Sequence, residues 1–530
     1  MTEASREPTA LLRELEELAS EEKLTPSDLE ALARHHNVPL SVVHGLRTFY
    51  FPGRAGHGRE TCVGLPCAMR RSAAGLDGPP EACDRVSCLG YCARAPVVRR
   101  DGHYFEESKD GLREIPESTP EFVAAHRENL DAYRARGGYG GLEHYLAAPD
   151  PDGLVRTVEA AAVRGMGGAG FPAHVKWKAV RASADRSRVL LVNAHEGEPA
   201  TFKDREILER EPHRLIEGAL IAALGVGAER LVVGLKSEYE HARWSLEEAV
   251  DEFEALSEAE WPERTLPPIE VRAVPGPYVT GEETALMEAL EGRRSEPRLR
   301  PPFPAEFGLD GHPTLVQNVE TLATLPGLLA VGGSRPSLGP AGKVYCLTGD
   351  VARPGAYRHP LGLRATDLVE TDGGSSRDEL MAFLPGGLSG GILPVSRLGV
   401  ALDFESVRKE GAGLGTGAVI AIGRDRCLVE VLENLAQFFA SESCGKCVPC
   451  RLGTAKLERL MGELRAGRAN ESDLADGLVL AQLLQETSIC ALGGVAGKPL
   501  VDAMRYFPEE MRAHTRGECT AVRRREAIAP

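Results

Sequence analysis

Residues 158–177 read VEAAAVRGMGGAGFPAHVKW. Gly165, Gly167 and Gly170 match G-x-G-x-x-G, with Gly168 inside the run. In a standard dinucleotide-binding fold that fingerprint follows a strand. Here the residues before it, LVRTVEAAAVR at 154–164, carry a helical pattern, so the loop belongs to a different α/β arrangement. Glycines still let backbone amides approach a phosphate closely, and Lys176 adds a cation nearby. A plain flexible turn is the competing reading.

Outward from this loop the pattern alternates. SRVLLVNA at 187–194 reads as a strand that ends in the polar turn HEGEPATFKDRE. HRLIEGALIAALGVG at 213–227 reads as a helix and ERLVVGLKSE at 229–238 as a strand, which predicts an α/β core with a mostly parallel sheet. PGPYVTGEETALMEALEG at 275–292 places Gly281, Glu282 and Glu283 at a loop-to-helix junction. Acidic residues at helix starts usually complement the helix dipole. Beside a glycine loop and a strand-end glutamate, the alternative is that they bind ribose hydroxyls and ring nitrogens.

Late in the chain Cys444, Cys447 and Cys450 stand in SCGKCVPCRLGT, and Cys490 stands in SICALGG. Three thiolates on one tight loop, closed by a distant fourth, are an iron–sulfur ligand pattern. Zinc is the rival, but structural zinc sites draw two short ligand pairs from separate segments, and no second pair flanks Cys490. Helix-like runs on either side, LVEVLENLAQFFASES and AKLERLMGELRAG, place this centre in a helical bundle. Near the N-terminus Cys62 and Cys67 stand in TCVGLPC, and Cys88 and Cys92 in SCLGYC. Two such pairs can bracket a two-iron cluster, with zinc or a redox disulfide as alternatives. Cys83 reads as a bystander, and Cys346, Cys427 and Cys519 as isolated core or surface residues.

The chain has 530 residues, too many for one core, and its length predicts three or four domains. With 62 basic and 78 acidic residues the formal charge is -16, which argues against nucleic acid as the main ligand. No apolar run reaches membrane-spanning length, and the charged, helix-patterned N-terminus is unlike a signal peptide. Twelve cysteines without an export signal favour metal binding over disulfides and a cytoplasmic location.

Residues 25–51 (TPSDLEALARHHNVPLSVVHGLRTFYF), then TCVGLPC and SCLGYCARAPVVRRDGHYFE, resemble the thioredoxin-like [2Fe-2S] subunit of respiratory complex I and its relatives. The stretch between Cys67 and Cys88 is about half the usual length, so a reduced scaffold is expected. About residues 130–520 resemble the flavin-bearing, NADH-oxidising subunit of complex I. The same unit recurs in NAD-linked formate dehydrogenases and NAD-reducing hydrogenases. The motifs are dense: GGAGFPxxxKW, NAxEGEPxTFKDR, GEETAL, RPPFPAxxGLxGxPT, NVETL, GTGAVI, ESCGxCxPCRxGT and CALGG.

The resemblance implies a multidomain α/β protein. Its parts would be an N-terminal helical bundle (1–50), a shortened thioredoxin-like [2Fe-2S] domain (51–110), a linker helix (111–140), an FMN- and NAD-binding α/β domain (141–335), a ubiquitin-like β-grasp domain (336–425) and a helical [4Fe-4S] domain (426–530). The glycine loop, Lys176, Asn193, Glu196, Glu198, Gly281–Glu283 and Asn318 would form the FMN site. Phe171 and Phe303 would sandwich the adenine, while Glu198, Glu283 and Arg300 would contact the rest of the NAD. Glu198 would stand closest to the chemistry. Cys62, Cys67, Cys88 and Cys92 would hold the [2Fe-2S] cluster, and Cys444, Cys447, Cys450 and Cys490 the [4Fe-4S] cluster. Four positions depart from the family pattern: Met166 for an arginine, His195 for an aspartate, Gln317 for an asparagine and Ala179 for an aromatic residue.

The implied activity is that of a diaphorase, an NADH:acceptor oxidoreductase component using FMN, NAD, one [4Fe-4S] and one [2Fe-2S] cluster. Its implied partner is a catalytic subunit with a molybdenum, tungsten or nickel–iron site and further iron–sulfur clusters, as in formate dehydrogenase or hydrogenase. A complex I-type NADH dehydrogenase module is one alternative. A divergent paralogue with a structural or regulatory role is another.

Overall fold

In the computed structural model the described residues are 10–20, 25–50, 59–76, 83–185, 187–329 and 342–521. They fall into two units whose segments alternate along the chain.

The first unit takes the described residues within Met1–Gly58, Ile115–Gly197 and Lys203–Gly342. Its centre is a four-stranded parallel sheet in the order Ile269–Val274, Ala228–Lys236, Arg188–Ala194 and Thr314–Asn318. Parallel strands are covered on both faces, which is why Arg188–Ala194 reads as a nearly unbroken apolar run. Val189, Leu191, Val232, Val274, Leu286, Leu290 and Val316 pack into one core cluster. The helix Pro212–Val226 is buried along almost its whole length, and Gly227 closes it in the left-handed conformation at φ 69°. The chain runs outward from Arg188–Ala194 in one direction, then returns to add Thr314–Asn318 on the other side. The crevice at the C-terminal ends of those two strands is therefore a topological switch point, where open α/β sheets bind ligands.

Three helices, Ala10–Ser20, Pro26–His35 and Leu40–Tyr50, share a small core of Leu12, Leu15, Leu29, Val43 and Leu46. Thr25 caps the second of them, its backbone N–H donating to the Asp28 carboxylate at 2.8 Å, as the T-P-S-D sequence permits.

The second unit takes the described residues within Arg59–Glu114, Glu198–Phe202 and Lys343–Pro530. One five-stranded sheet has the order Asp84–Val86, Arg59–Cys62, Val97–Arg100, His103–Ser108 and Gly111–Glu114, with the helix Leu65–Ala73 between two of its strands in sequence. A second sheet has the order Gly355–His359, Lys343–Gly349, Ala418–Gly423, Leu380–Leu384 and Leu393–Pro394. Lys343–Gly349 and Ala418–Gly423, the first and last of these strands in chain order, are neighbours and run parallel. The remainder is helical, from Leu428–Ser441 to Pro508–Thr515.

One boundary differs from expectation. The linker helix placed at 111–140 begins as a strand: Gly111–Glu114 pairs antiparallel with His103–Ser108. The intervening Lys109-Asp110 turn, with Gly111 at φ 119°, favours a hairpin over a helix. Helical structure resumes with a 3-10 turn at Pro116–Ser118 and the short α-helices Pro120–His126 and Leu130–Ala135, the latter two capped by the side chains of Thr119 and Asn129.

Candidate functional site

The glycine loop follows the helix Pro151–Ala160, as its pattern predicts, and closes on itself. Arg164 and Pro172 form an isolated antiparallel bridge, and the Gly165 N–H donates to the Phe171 carbonyl at 2.9 Å. Gly168 and Gly170 have φ of 124° and 62°, which side-chain-bearing residues avoid. A Cβ on Gly167 would stand 3.2 Å from the Asn318 Cβ, so the loop backbone lies directly against the switch point. Asn193 and Asn318 are partners in the register of neighbouring strands. Asn193 Nδ2 donates to the Gly281 carbonyl at 2.8 Å, which ties the Gly281–Glu283 turn to the same place.

Glu282 is the cap of the helix Glu283–Leu290, accepting from the Thr284 and Ala285 amides at 2.9 Å. The plain dipole reading therefore accounts for part of its role. Its other oxygen pairs with Arg300 at 2.5 Å, while Glu283 pairs with Arg300 at 2.9 Å and with Lys176 at 2.5 Å. Lys176, Glu282, Glu283 and Arg300 thus form one ion-pair network. Phe171 and Phe303 are 46% and 52% exposed, unusual for rings this large, and so present uncovered faces to a planar ligand.

The structure adds three residues that the expected site omitted. Lys203 is fully buried, 2.5 Å from Asp204, 3.3 Å from Glu320 and 3.2 Å from the Asn318 amide oxygen. Asn318 Nδ2 donates to Asp204 at 2.6 Å. Glu196 accepts from the Asp204 and Arg205 amides at 3.0 and 3.2 Å and from the Tyr239 hydroxyl at 3.2 Å. Burial, reinforced by Asp204, pushes the Glu196 carboxyl up to about 7. The signal for Lys203 and Asp204 was present in TFKDR at 201–205, where charged residues sit against a strand-end turn and open the helix Lys203–Arg210, and Glu320 stands in NVETL at 318–322.

Glu198 belongs to the second unit, where its carboxylate accepts from the Ser389 N–H and hydroxyl, each at 2.9 Å. Of the departures, Met166 is buried and its N–H donates to Thr321 at 2.8 Å, and Ala179 lies in the helix Ala173–Ala182. Gln317 and His195 are buried, with Gln317 Nε2 and both His195 ring nitrogens lacking hydrogen-bond partners among the described residues. Such orphaned polar atoms beside a glycine cradle, an amide-bearing strand end and a charged network fit a polar, ring-containing cofactor such as FMN.

Burial, with Lys236 nearby, holds the His195 imidazole down to about 4. A histidine kept neutral in the folded state confers stability that is full above its ordinary value of about 6.5 and is lost as pH falls through about 4. In flavin-free protein His195→Asn should remove that acid sensitivity, about 3 kcal/mol at most. Unfolding midpoints measured across this range would check it, and an unchanged slope would refute the assignment.

In the C-terminal group, Cys444 precedes Gly445, which holds φ 80°. Cys447 caps the helix Val448–Arg465, and Cys450 sits in its first turn rather than on a loop, because Pro449 suits a helix start. Cys490 precedes the helix Ala491–Ala496, and its sulfur accepts from the Leu492 and Gly493 amides. A Cβ on Gly493 would stand 3.0 Å from the Cys450 Cβ, so the two segments meet closely. Burial, with neighbouring cysteine sulfurs adding to it, pushes both Cys450 and Cys490 up to about 11. Four mutually repelling sulfurs in a partly dry pocket become favourable as thiolates only around a cationic metal core, so they fit a [4Fe-4S] cluster.

The N-terminal pairs also converge. Cys62 ends a strand and Cys67 opens the helix Leu65–Ala73. Cys88 and Cys92 Sγ stand 3.4 Å apart, and the Gly90 N–H donates to Cys88 at 3.3 Å. Hydrogen bonds to Cys67 and Cys88, with burial, raise the Cys62 thiol well above its usual value. The bond to Cys88, with burial, does the same for Cys92, against the opposing backbone amide of Ala200. Two sulfurs from each segment, with amide donors around them, fit a [2Fe-2S] cluster.

The sequence model of the Nuo51 FMN-binding domain matches residues 158–327, and that of the NADH-ubiquinone oxidoreductase-F iron-sulfur binding region matches residues 430–514. The chain belongs to the complex I diaphorase family, whose members are FMN- and NADH-binding oxidoreductase components that carry a [4Fe-4S] cluster. It is 39% identical over 395 residues to the NADH-quinone oxidoreductase F 2 subunit of Rhizobium meliloti (strain 1021), covering 73% of this chain and 94% of the relative. It is 40% identical over 399 residues to the NADH-quinone oxidoreductase F subunit of Streptomyces coelicolor, covering 73% and 88%. A chain of the NAD+-reducing [NiFe]-hydrogenase in the H2-reduced state aligns with a TM-score of 0.79 and 30% identity, over 99% of this chain and 97% of that one. Among the described residues no helix is long and apolar enough to cross a membrane.

Proposed function

We propose that this chain is the diaphorase subunit of a cytoplasmic NAD-linked formate dehydrogenase or hydrogenase, exchanging electrons between NAD(H) and a partner catalytic subunit. The observation that carries this reading is the reach of the structural likeness. The Rhizobium NADH-quinone oxidoreductase relative accounts for 73% of the chain, whereas the hydrogenase chain aligns over 99% of it. The part that the resemblance assigns to a separate complex I subunit, with its Cys62, Cys67, Cys88 and Cys92 group, is thus fused here.

FMN, when bound, supplies the conversion between the two-electron chemistry of nicotinamide and the one-electron chemistry of iron–sulfur clusters. The protein positions and insulates. The glycine loop, Asn193, Glu196 and Asn318 would hold the flavin. Phe171 and Phe303 would clamp the adenine, and the Lys176–Glu283–Arg300 network would set the position of the nucleotide. The Cys444 group would pass electrons to the partner, and the Cys62 group would hold a [2Fe-2S] cluster as a reservoir. No side chain is required as a nucleophile.

Anaerobic purification tests the reading. Co-purifying subunits with a molybdenum, tungsten or nickel site support it, whereas quinone-linked membrane subunits would favour the complex I alternative. Absence of flavin and of NADH-driven cluster bleaching would instead favour a structural paralogue. For the nucleotide, Glu198→Gln should raise the KM for NADH by roughly 10-fold, about 1.4 kcal/mol, or weaken flavin retention. Unchanged kinetics and flavin content would remove Glu198 from the site.

A further inference from the structure

We propose that Cys427, His514 and Cys519 form a zinc site, separate in all its ligands from the eight cysteines assigned to iron. Their ligand atoms all lie within 4.8 Å of one another. Along the sequence these cysteines are isolated residues; the fold of the second unit corrects that by returning the helix Pro508–Thr515 to the start of the helix Leu428–Ser441.

Three observations point to a ligand. First, Cys427 Sγ stands 3.3 Å from His514 Nε2. Bond lengths of about 2.3 Å to sulfur and 2.0–2.1 Å to nitrogen place two ligands of one tetrahedral zinc about 3.6 Å apart, so a few tenths of an ångström of adjustment admits the ion. Second, His514 Nδ1 lies 3.0 Å from the Glu510 carbonyl oxygen. A carbonyl only accepts, so Nδ1 carries the proton and Nε2 turns its lone pair toward Cys427, the outer-shell arrangement that orients a metal-bound imidazole. Third, Cys427 stands at the N-cap position of the helix Leu428–Ser441 without a side-chain hydrogen bond to the helix's first amides, so its sulfur is turned to His514 instead.

The charge and donor chemistry agree. Two thiolates neutralise a divalent ion and the imidazole stays neutral, so a group with Cys427 and His514 buried carries no net charge. Two sulfurs and one nitrogen suit zinc and disfavour magnesium or calcium. Cys519 is partly exposed, which leaves access for the ion and for a water in the fourth position. The Glu510 carboxylate also accepts from the Leu428 N–H at 2.9 Å, so the two helix ends are held together beside the site. A metal here clips the end of the cluster-bearing helical region to its beginning, a long loop closure of the kind a metal stabilises most.

Metal analysis of the full-length holoprotein, purified anaerobically from zinc-supplemented cells, should find about one zinc per chain in addition to cluster iron. His514→Gln and Cys519→Ser should lose that zinc while keeping flavin and iron, and Cys346→Ser should keep it. If the variants fail to fold, zinc-edge X-ray absorption of the unaltered protein decides. Two sulfur neighbours at about 2.3 Å with nitrogen at about 2.0–2.1 Å support the site. Zinc absent from iron- and flavin-replete protein, a shell of oxygen and nitrogen alone, iron in its place, or a Cys427–Cys519 disulfide found by mass mapping would each overturn it.

Discussion

Cys447→Ala should cost the protein roughly four irons per chain and lower partner-coupled electron transfer by more than about 100-fold, with flavin content unchanged. The loss is expected to be large because the quartet has no spare ligand. Cys444, Cys447 and Cys450 lie at one helix start, and Cys490 comes from another segment fixed by its own amide donors. Ser443, whose hydroxyl lies 3.3 Å from the Cys450 sulfur, is a hydrogen-bond partner in this arrangement rather than a replacement ligand. Removing an outer-shell partner at a metal centre typically costs 10–100-fold, and removing a ligand costs more. Flavin retention follows from the separation of ligand sets, since all expected flavin residues except Glu198 belong to the other unit. NADH oxidation with an acceptor that reacts at the flavin should persist. Wild-type turnover with the partner in this variant would show that the quartet is not on the electron path.

Lys203→Met should destabilise the protein by about 3–5 kcal/mol near pH 8 and weaken flavin retention. Burial by itself would discharge this amine, but Asp204, Glu320 and Glu196 hold it protonated, above the ordinary lysine range. Without it, the Asp204 and Glu320 carboxylates, both buried, lose their countercharge, and Asn318 loses a neighbour that fixes it at the switch point. The pH dependence has a definite sign. Carboxylates left unpaired in the folded variant have raised values there, so the folded state binds more protons than the unfolded state. The variant's deficit should therefore shrink as pH falls from about 8 to about 5. Urea unfolding at both ends of that range, with flavin content, checks this; a deficit below about 1 kcal/mol at pH 8 would mean that the cluster is solvated or flexible.

The alternation of helix and strand around residues 158–238 was legible because a buried parallel sheet forces continuous apolar strands and a buried helix. The glycine loop was legible too, and the helix before it correctly excluded a standard dinucleotide fold. The end of the thioredoxin-like segment was not. Gly111–Glu114 is exposed and His103–Ser108 fully buries Tyr104 alone, so their pairing depends on a turn and a neighbouring strand rather than on a hydrophobic period. The charged cluster of Lys203, Asp204 and Glu320 at the switch point was only half legible. TFKDR stood in plain view, but nothing local says that Lys203 is buried against Glu320.

The sequence by itself determined the inventory of candidate ligands: eight cysteines in two spaced groups, a glycine loop after a helix, and acidic residues at a helix start. Short-range spacing is enough to nominate them, because thiolates a few residues apart on one turn can reach one centre. Only the tertiary structure decided which distant residues meet. Sheet register sets Asn193 beside Asn318, and helix packing returns His514 and Cys519 to Cys427. Those encounters depend on how whole elements bury their apolar faces, a global outcome that no local pattern encodes.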